Sequence, residues 1–231
     1  MDINRRFVIE QLIRKINAHT YLEIGVFKGY NFFPIRAPRK IAVDPYFKMK
    51  WYKKAWMHIR RPANIWESRF FEKESDLFFS ENAGKMFAEK SLQVSLVDGM
   101  HEYGYALRDV ENCLQYLEEG GVIVMHDCNP VTRQHAATFE EWKAAKFIGK
   151  WNGDVWKSIV HLRSIRDDIN VFVLDCDEGL GIVTKGKPEN KLSYSPEQIR
   201  NMGYDELERN RETLLNLKPA NYFFDYFNIP N

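Results

Sequence analysis

One local theme recurs along this chain: a short apolar run that stops at a glycine or an acid, followed by a stretch with helical periodicity. Tyr21-Leu22-Glu23-Ile24 stops at Gly25, and Lys40-Ile41-Ala42-Val43 stops at Asp44-Pro45. Leu92 to Val97 ends in Asp98-Gly99, and Val122 to Met125 ends in His126-Asp127. Ala63 to Phe70 reads as a further strand between the second and fourth. Helical stripes separate the runs. Ile3, Phe7, Leu12 and Ile16 share one face, and so do Leu107, Val110, Leu114 and Leu117, a stripe closed by Glu119-Gly120-Gly121. Ser75-Asp76 is placed to cap a helix before Leu77-Phe78-Phe79. Strand, turn and helix in repeated order predict an α/β domain with a mostly parallel sheet and helices on both faces.

The second half departs from that rhythm. Residues 129 to 150 read as an insertion carrying Phe139, Trp142 and Phe147, and Asp154 to Arg166 as a helix. Val171 to Leu174 and Gly181 to Thr184 are joined by a short turn and pair as a hairpin, which makes the last strand antiparallel to the rest. Residues 1–186 are assigned to this domain. Residues 187–231 form a helical and aromatic extension packed on it, with helices expected from Ser195-Pro196 and over Glu206 to Leu217, and an aromatic cluster at Tyr222 to Phe227.

Charge and cysteine usage narrow the functional classes. With 33 Lys+Arg against 32 Asp+Glu, the chain has no global attraction for nucleic acid or anionic membrane. No run of ~18 apolar residues predicts a membrane span. Cys113, Cys128 and Cys176 make no close pair, and the N-terminus lacks the apolar stretch of a signal peptide, so a reduced, cytoplasmic protein is expected. The aromatic tail leaves room for a homodimer.

The turn after the first strand reads acid-x-Gly-x-x-x-Gly, from Glu23 through Gly25 to Gly29. It lacks the middle glycine of the dinucleotide fingerprint, and Glu23 would repel a phosphate while suiting an ammonium group or hydroxyls. Asp44 follows Gly25 by about 20 residues, the distance at which an acid accepts from ribose hydroxyls. An adenosyl ligand without phosphates satisfies both observations, and so does a plain glycine turn flanked by solvated carboxylates.

In a parallel sheet the loops after the fourth and fifth strands lie side by side over the ligand crevice. Asp98 and Asp127, with Asn129 or His126 near, would suit a hard divalent cation such as Mg²⁺ or Mn²⁺. His101 would accept a proton. The competing reading has Asp98 capping a helix and both histidines packing. Lys48, Lys50, Lys53, Lys54, Arg60 and Arg61, interleaved with Trp51, Tyr52 and Trp56, form a basic aromatic segment suited to an anionic or sugar acceptor.

Taken together, these segments resemble the class I S-adenosylmethionine (SAM)-dependent methyltransferases. More narrowly they resemble the macrocin O-methyltransferase-like and cephalosporin hydroxylase-like family. The resemblance rests on Tyr21 to Gly29, Val43-Asp44-Pro45, Ser75-Asp76, Val97 to Tyr103, Arg108 to Asn112, Gly120 to Cys128 and Trp151 to Lys157, and spans residues 18 to 186. It implies a Rossmann-like sheet of seven strands, with the antiparallel seventh between the fifth and sixth. It implies SAM held by Glu23, Gly25, Gly29, Asp44, Ser75, Asp76 and Asp98, with the last two of the first six near the adenine. Asp98 and Asp127 match metal-binding acids; Cys128 stands where relatives carry Asp or Asn, which leaves Asn129 or His126 as the third ligand, or no metal at all. His101 falls where catechol O-methyltransferase-like enzymes place a catalytic lysine. The implied activity is O-methylation of a small-molecule or sugar hydroxyl, by His101, Asp98 and Asp127. The alternative is a hydroxylase-like or degenerate binding protein on the same fold.

Overall fold

The computed structural model describes residues 2–49, 67–88 and 90–230. Its centre is an eight-stranded sheet in the order β3-β2-β1-β4-β5-β7-β6-β8. The strands are β1 (Thr20–Ile24), β2 (Arg39–Asp44), β3 (Glu67–Glu72), β4 (Leu92–Val97), β5 (Leu117–Met125), β6 (Ile169–Asp175), β7 (Leu180–Lys185) and β8 (Leu217–Pro219). β7 runs antiparallel to both β5 and β6, and the remaining pairings are parallel. This is the α/β Rossmann-like methyltransferase arrangement, with the antiparallel strand seated between the fifth and sixth. The eighth strand is the difference. Leu217–Pro219, in the tail, adds to the open edge of β6.

The core lies on both faces of the sheet because the strands are buried on both. One face packs Leu22, Ile24, Ile41 and Val43 against the helices Tyr103–Tyr116 and Trp156–Ile165. The other packs Tyr21, Ala42, Val94 and Phe172 against helix α1 (Arg5–Lys15) and the tail helix Tyr222–Phe227, whose Phe223 and Phe224 are buried. Helix α1 is started by Asn4, whose side chain accepts from the Phe7 amide, and Val8, Ile9, Leu12 and Ile13 form its buried stripe.

Two local readings change. The helix at 103 ends at Tyr116, not at the glycines, because Leu117 already pairs with Leu92 as β5 begins, with a register shift before Val94. Ser75 does not cap the next helix. Glu74 holds the cap position without a side-chain bond, and Ser75 turns instead toward Asp109. The strand read at Ala63 to Phe70 is β3, which runs to Glu72; residues 63–66 lie outside the described chain.

Candidate active site

Four strands deliver their carboxyl ends to one edge. Gly25 follows β1, Asp44 closes β2, and Asp98 and Asp127 follow β4 and β5. The ladders continue past the strands: Gly25 donates to Val43 at 2.9 Å, Asp98 to Ile24 at 2.9 Å and His126 to Val97 at 3.0 Å. These bonds fix the loops against one another.

Gly25 has φ +84°, and a Cβ there would lie 1.8 Å from the Asp98 carbonyl oxygen. Only glycine fits this crossing. Beside it is a cavity of about 590 Å³ lined by Gly25, Asp44, Ser75, Asp76, Asp98 and His101, together with Phe27, Tyr105 and Asp109. Both carboxylate oxygens of Asp44 are oriented by backbone amides, Oδ2 by Phe27 at 2.7 Å and Oδ1 by Tyr46 at 2.8 Å. Each oxygen keeps lone-pair capacity for a ligand hydroxyl. Asp76 accepts from Arg108 at 3.2 Å at the rim. Burial pushes the Asp109 carboxyl up to about 7, against the lowering effect of its bond with Ser75.

A second cavity, of about 540 Å³, lies on the other side of Gly25 and is lined by Glu23, Asn31, Arg5, Asp98 and Asp177. Glu23 is buried, and its Oε2 accepts from Tyr21 at 2.6 Å and Asn31 at 2.9 Å. Burial raises this carboxyl to about 7, although both hydrogen bonds pull it down. Gly29 lines neither cavity. Its φ is +72°, and a Cβ there would strike the Phe33 ring at 2.3 Å, so the turn itself requires glycine.

Between the cavities sits a charged cluster. Asp127 Oδ2 lies 3.3 Å from His101 Nε2 and 2.8 Å from His126 Nδ1. Asp98 Oδ1 lies 3.8 Å from His101 Nε2 and 3.4 Å from His126 Nδ1. Asp98 Oδ2 accepts from Arg5 Nη1 at 2.7 Å, and Asp177 accepts from the Arg5 side chain and backbone. Burial works against the charge on Asp98, but His126 and Arg5 outweigh it and hold the carboxyl below its usual range. Burial likewise opposes a charged His126, and the carboxylates around it reverse the outcome and raise it well above the ordinary imidazole.

His101 Nδ1 lies 2.7 Å from the Trp151 carbonyl oxygen. A carbonyl only accepts, so Nδ1 carries the hydrogen and Nε2 is the nitrogen turned to the acids. The His101 ring stacks on Trp151 at 5.2 Å, and Trp151 stacks on Trp142 at 5.3 Å, so the insertion builds an aromatic wall beside the cluster. Gly153 permits this approach: with φ +63°, its Cβ would lie 1.7 Å from the His101 carbonyl oxygen.

Asn129, expected as a third cation ligand, is not brought together with Asp98 and Asp127. Asn129 points away from the acids; its amide donates to Asp175 at 3.0 Å and its oxygen accepts from Arg211. Asp98, His101 and Asp127 instead each offer an atom, all within 4.8 Å of one another. Cys128 is buried, and burial pushes its thiol far above the ordinary range. Arg5, Asp177 and Asn152 went unseen in the sequence as site residues. Nothing local in the sequence marks Arg5 or Asp177, whereas Asn152 stands in the Trp151 to Lys157 segment that carries the resemblance. Of the basic aromatic segment, Lys50 to Arg61 lie outside the described residues, while Lys48 sits 5.0 Å from the Phe27 ring.

Residues 22–128 match a family model described as a methyltransferase domain. That match covers less than half of the chain and, with the fold, supports a SAM-dependent methyltransferase. Solved structures share the architecture. A putative caffeoyl-CoA O-methyltransferase from Staphylococcus aureus is 17% identical, with a TM-score of 0.53 over 78% of this chain and 82% of its own. The SAH-bound methyltransferase PaMTH1 from Podospora anserina is 16% identical, with a TM-score of 0.54 over 79% and 78%. An O-methyltransferase from Bacillus cereus in complex with SAH is 14% identical, with a TM-score of 0.52 over 78% and 80%. At these identities the likeness is one of fold. No curated protein matches the sequence significantly.

Proposed function

We propose that this protein methylates a hydroxyl of a small, ring-bearing acceptor such as a sugar or an aromatic metabolite. One observation carries the reading: Asp98 and His101 line the same cavity as Asp44 and Gly25, so donor and acceptor groups would meet there. The macrocin O-methyltransferase-like branch is the narrower assignment this supports.

SAM, when bound, supplies a methyl group on a positively charged sulfur. Asp44, Ser75 and Gly25, which line one cavity, would hold its adenosine side. Glu23 faces the second cavity, where an ammonium group would pair with its carboxylate. Asp98 and Asp127 orient the acceptor hydroxyl, and Nε2 of His101 is placed to take its proton. Bound SAM would supply the methyl group and leave as a neutral thioether, with these residues holding the acceptor oxygen in line with it. Trp151 and Trp142 offer flat faces for the acceptor ring. The solved relatives named as O-methyltransferases support the same acceptor atom for this chain.

Calorimetric titration with S-adenosylhomocysteine, with NAD as control, tests the donor half. Labelled methyl transfer to a panel of sugars and phenols tests the acceptor half. Unchanged turnover in His101→Ala with a confirmed acceptor would remove His101 from the reaction.

A further inference from the structure

The tail reaches the active site from outside the segment that matches the family model, which ends at Cys128. Its helix Tyr204–Leu215 packs on the helix Trp156–Ile165 and is pinned at its far end by Arg163. That guanidinium is 3% exposed and donates to the Thr213 carbonyl at 2.5 Å and to the Leu214 carbonyl at 2.7 Å. Carbonyls at a helix C-terminus lack partners within the helix, so a buried cation suits them. The tail helix departs from helical geometry at Asn210 (φ −127°, ψ 20°), whose side-chain amide donates back to the Glu206 carbonyl at 3.2 Å. The kink immediately precedes Arg211, whose side chain reaches the loop after β5.

Arg211 Nη1 donates to the side-chain oxygen of Asn129 and to the Pro130 carbonyl, the latter at 2.8 Å. Both of these loop residues are buried. Asn129 is held from the hairpin side as well. Its side-chain amide donates to Asp175 at 3.0 Å and its backbone N–H to the Glu178 carbonyl at 2.9 Å. The Cys128 N–H donates to the Gly179 carbonyl at 3.0 Å. Gly179 approaches so closely that a Cβ there would lie 2.4 Å from the Asn129 nitrogen. Earlier in the same loop stands Asp127, at φ +61°, with Oδ2 3.3 Å from His101 Nε2.

We propose that Arg211 is a positioning residue for methyl transfer: by holding Asn129 and Pro130 it fixes the turn that keeps Asp127 left-handed and aimed at His101. The inference rests on the acceptor chemistry proposed above. Arg211 lines neither donor cavity, so it acts through the loop. Without it, the Asn129 oxygen and the Pro130 carbonyl would be buried acceptors short of a donor, and movement of the loop is the relief. The tail keeps its other anchors. Lys157 Nζ donates to the Arg200 carbonyl at 3.1 Å, Arg163 holds the helix end, and Phe223 and Phe224 are buried. Tyr204 donates to the Val131 carbonyl at 2.8 Å, and Asp205 pairs with Arg133. Removing Arg211 therefore releases the loop and leaves the tail in place.

Amide exchange at Cys128 and Asn129 reads the loop without donor or acceptor. In Arg211→Ala it should accelerate about tenfold or more, while the amides of Val94 and Leu96 inside the sheet stay protected. With an acceptor that the wild-type chain methylates, kcat should fall about tenfold or more, and the acceptor KM and S-adenosylhomocysteine affinity should stay within about twofold. Arg211→Lys keeps the charge and can still donate to one of the two acceptors, so it should recover part of kcat and of the protection. Unchanged exchange at Cys128 and Asn129 in Arg211→Ala would overturn the proposal, and so would faster exchange with wild-type kcat. Equal losses in kcat, KM and donor affinity would overturn it too, making Arg211 a stability residue only. Asn129→Ala removes the same contact from the other side and should reproduce the split, so an Arg211→Ala chain that fails to fold leaves the test standing. A wild-type chain that methylates no hydroxyl would sink the acceptor reading, and exchange alone would then decide whether Arg211 holds the loop.

Discussion

Asn152 donates its side-chain amide to Oδ1 of Asp127 at 2.7 Å, and Asp127 is a non-glycine residue held at φ +61°. Asn152 is fully buried and is itself fixed by its backbone bond to His135. A left-handed aspartate is strained unless its surroundings over-determine it. The insertion between β5 and the helix at 156 thus supplies the clamp that aims Asp127 at the two histidines.

Asn152→Ala should therefore damage the site more than its distance from the cavity suggests. The lost bond leaves a buried carboxylate oxygen unpaired, at a cost of roughly 1–3 kcal/mol. Denaturant melts should show that loss. Turnover should fall at least tenfold, while S-adenosylhomocysteine affinity stays within about twofold, because Asn152 lines neither donor cavity.

Gly25→Ala should abolish donor binding. The added methyl would meet the Asp98 carbonyl at 1.8 Å in a backbone conformation unfavourable to any L side chain. Strain of roughly 1–3 kcal/mol and displacement of the Asp98 loop should follow together. A variant that binds S-adenosylhomocysteine normally would show that the loops after β1 and β4 need not cross so closely.

Glu23 sets a pH dependence whose sign is fixed by its environment. Its folded-state carboxyl is raised to about 7, above the ordinary 4.5, so the folded chain holds a proton there that the unfolded chain has released. Stability from this group is present below about 4.5 and is lost as pH rises through about 7, by up to about 3 kcal/mol. Glu23→Gln should flatten that decline in melts between pH 5 and 8. Ligand binding runs oppositely. An ammonium ligand needs the carboxylate, so S-adenosylhomocysteine affinity should fall up to tenfold per unit as pH drops below 7.

Arg5→Ala should loosen the N-terminal helix from the active site. Arg5 bonds to Asp98 and, through side chain and backbone, to Asp177, with about a quarter of its side chain exposed. Losing these charged hydrogen bonds should cost about 2 kcal/mol. Amide exchange across Arg5 to Lys15 should accelerate, and Arg5→Lys should restore only part of the protection, since a lysine cannot bridge two carboxylates as a guanidinium does. Unchanged exchange in Arg5→Ala would mean that the apolar stripe of Val8, Ile9, Leu12 and Ile13 alone anchors the helix.

The strand ends that border the crevice were legible from the chain alone, because their determinants are local. The turn at Gly25 and the acid closing β2 each follow directly from an apolar run, and period-two and period-3.6 patterns locate such runs without tertiary information. The late hairpin was visible for the same reason, since a short turn between two apolar runs forces antiparallel pairing. The boundaries moved where pairing overrode local signals, as at Leu117.

The sequence by itself determined the alternation of strands and helices, and with it the edge where Gly25, Asp44, Asp98 and Asp127 gather. Only the tertiary structure decided what surrounds those acids. Arg5 reaches Asp98 across 93 residues of chain, Asn152 reaches Asp127, and Asp177 enters from the β6–β7 turn. Asn129, adjacent in sequence, is drawn away by Arg211 and Asp175. Spacing along the chain reports which loops share an edge, whereas partners are chosen by side-chain reach and backbone angle after the sheet has formed.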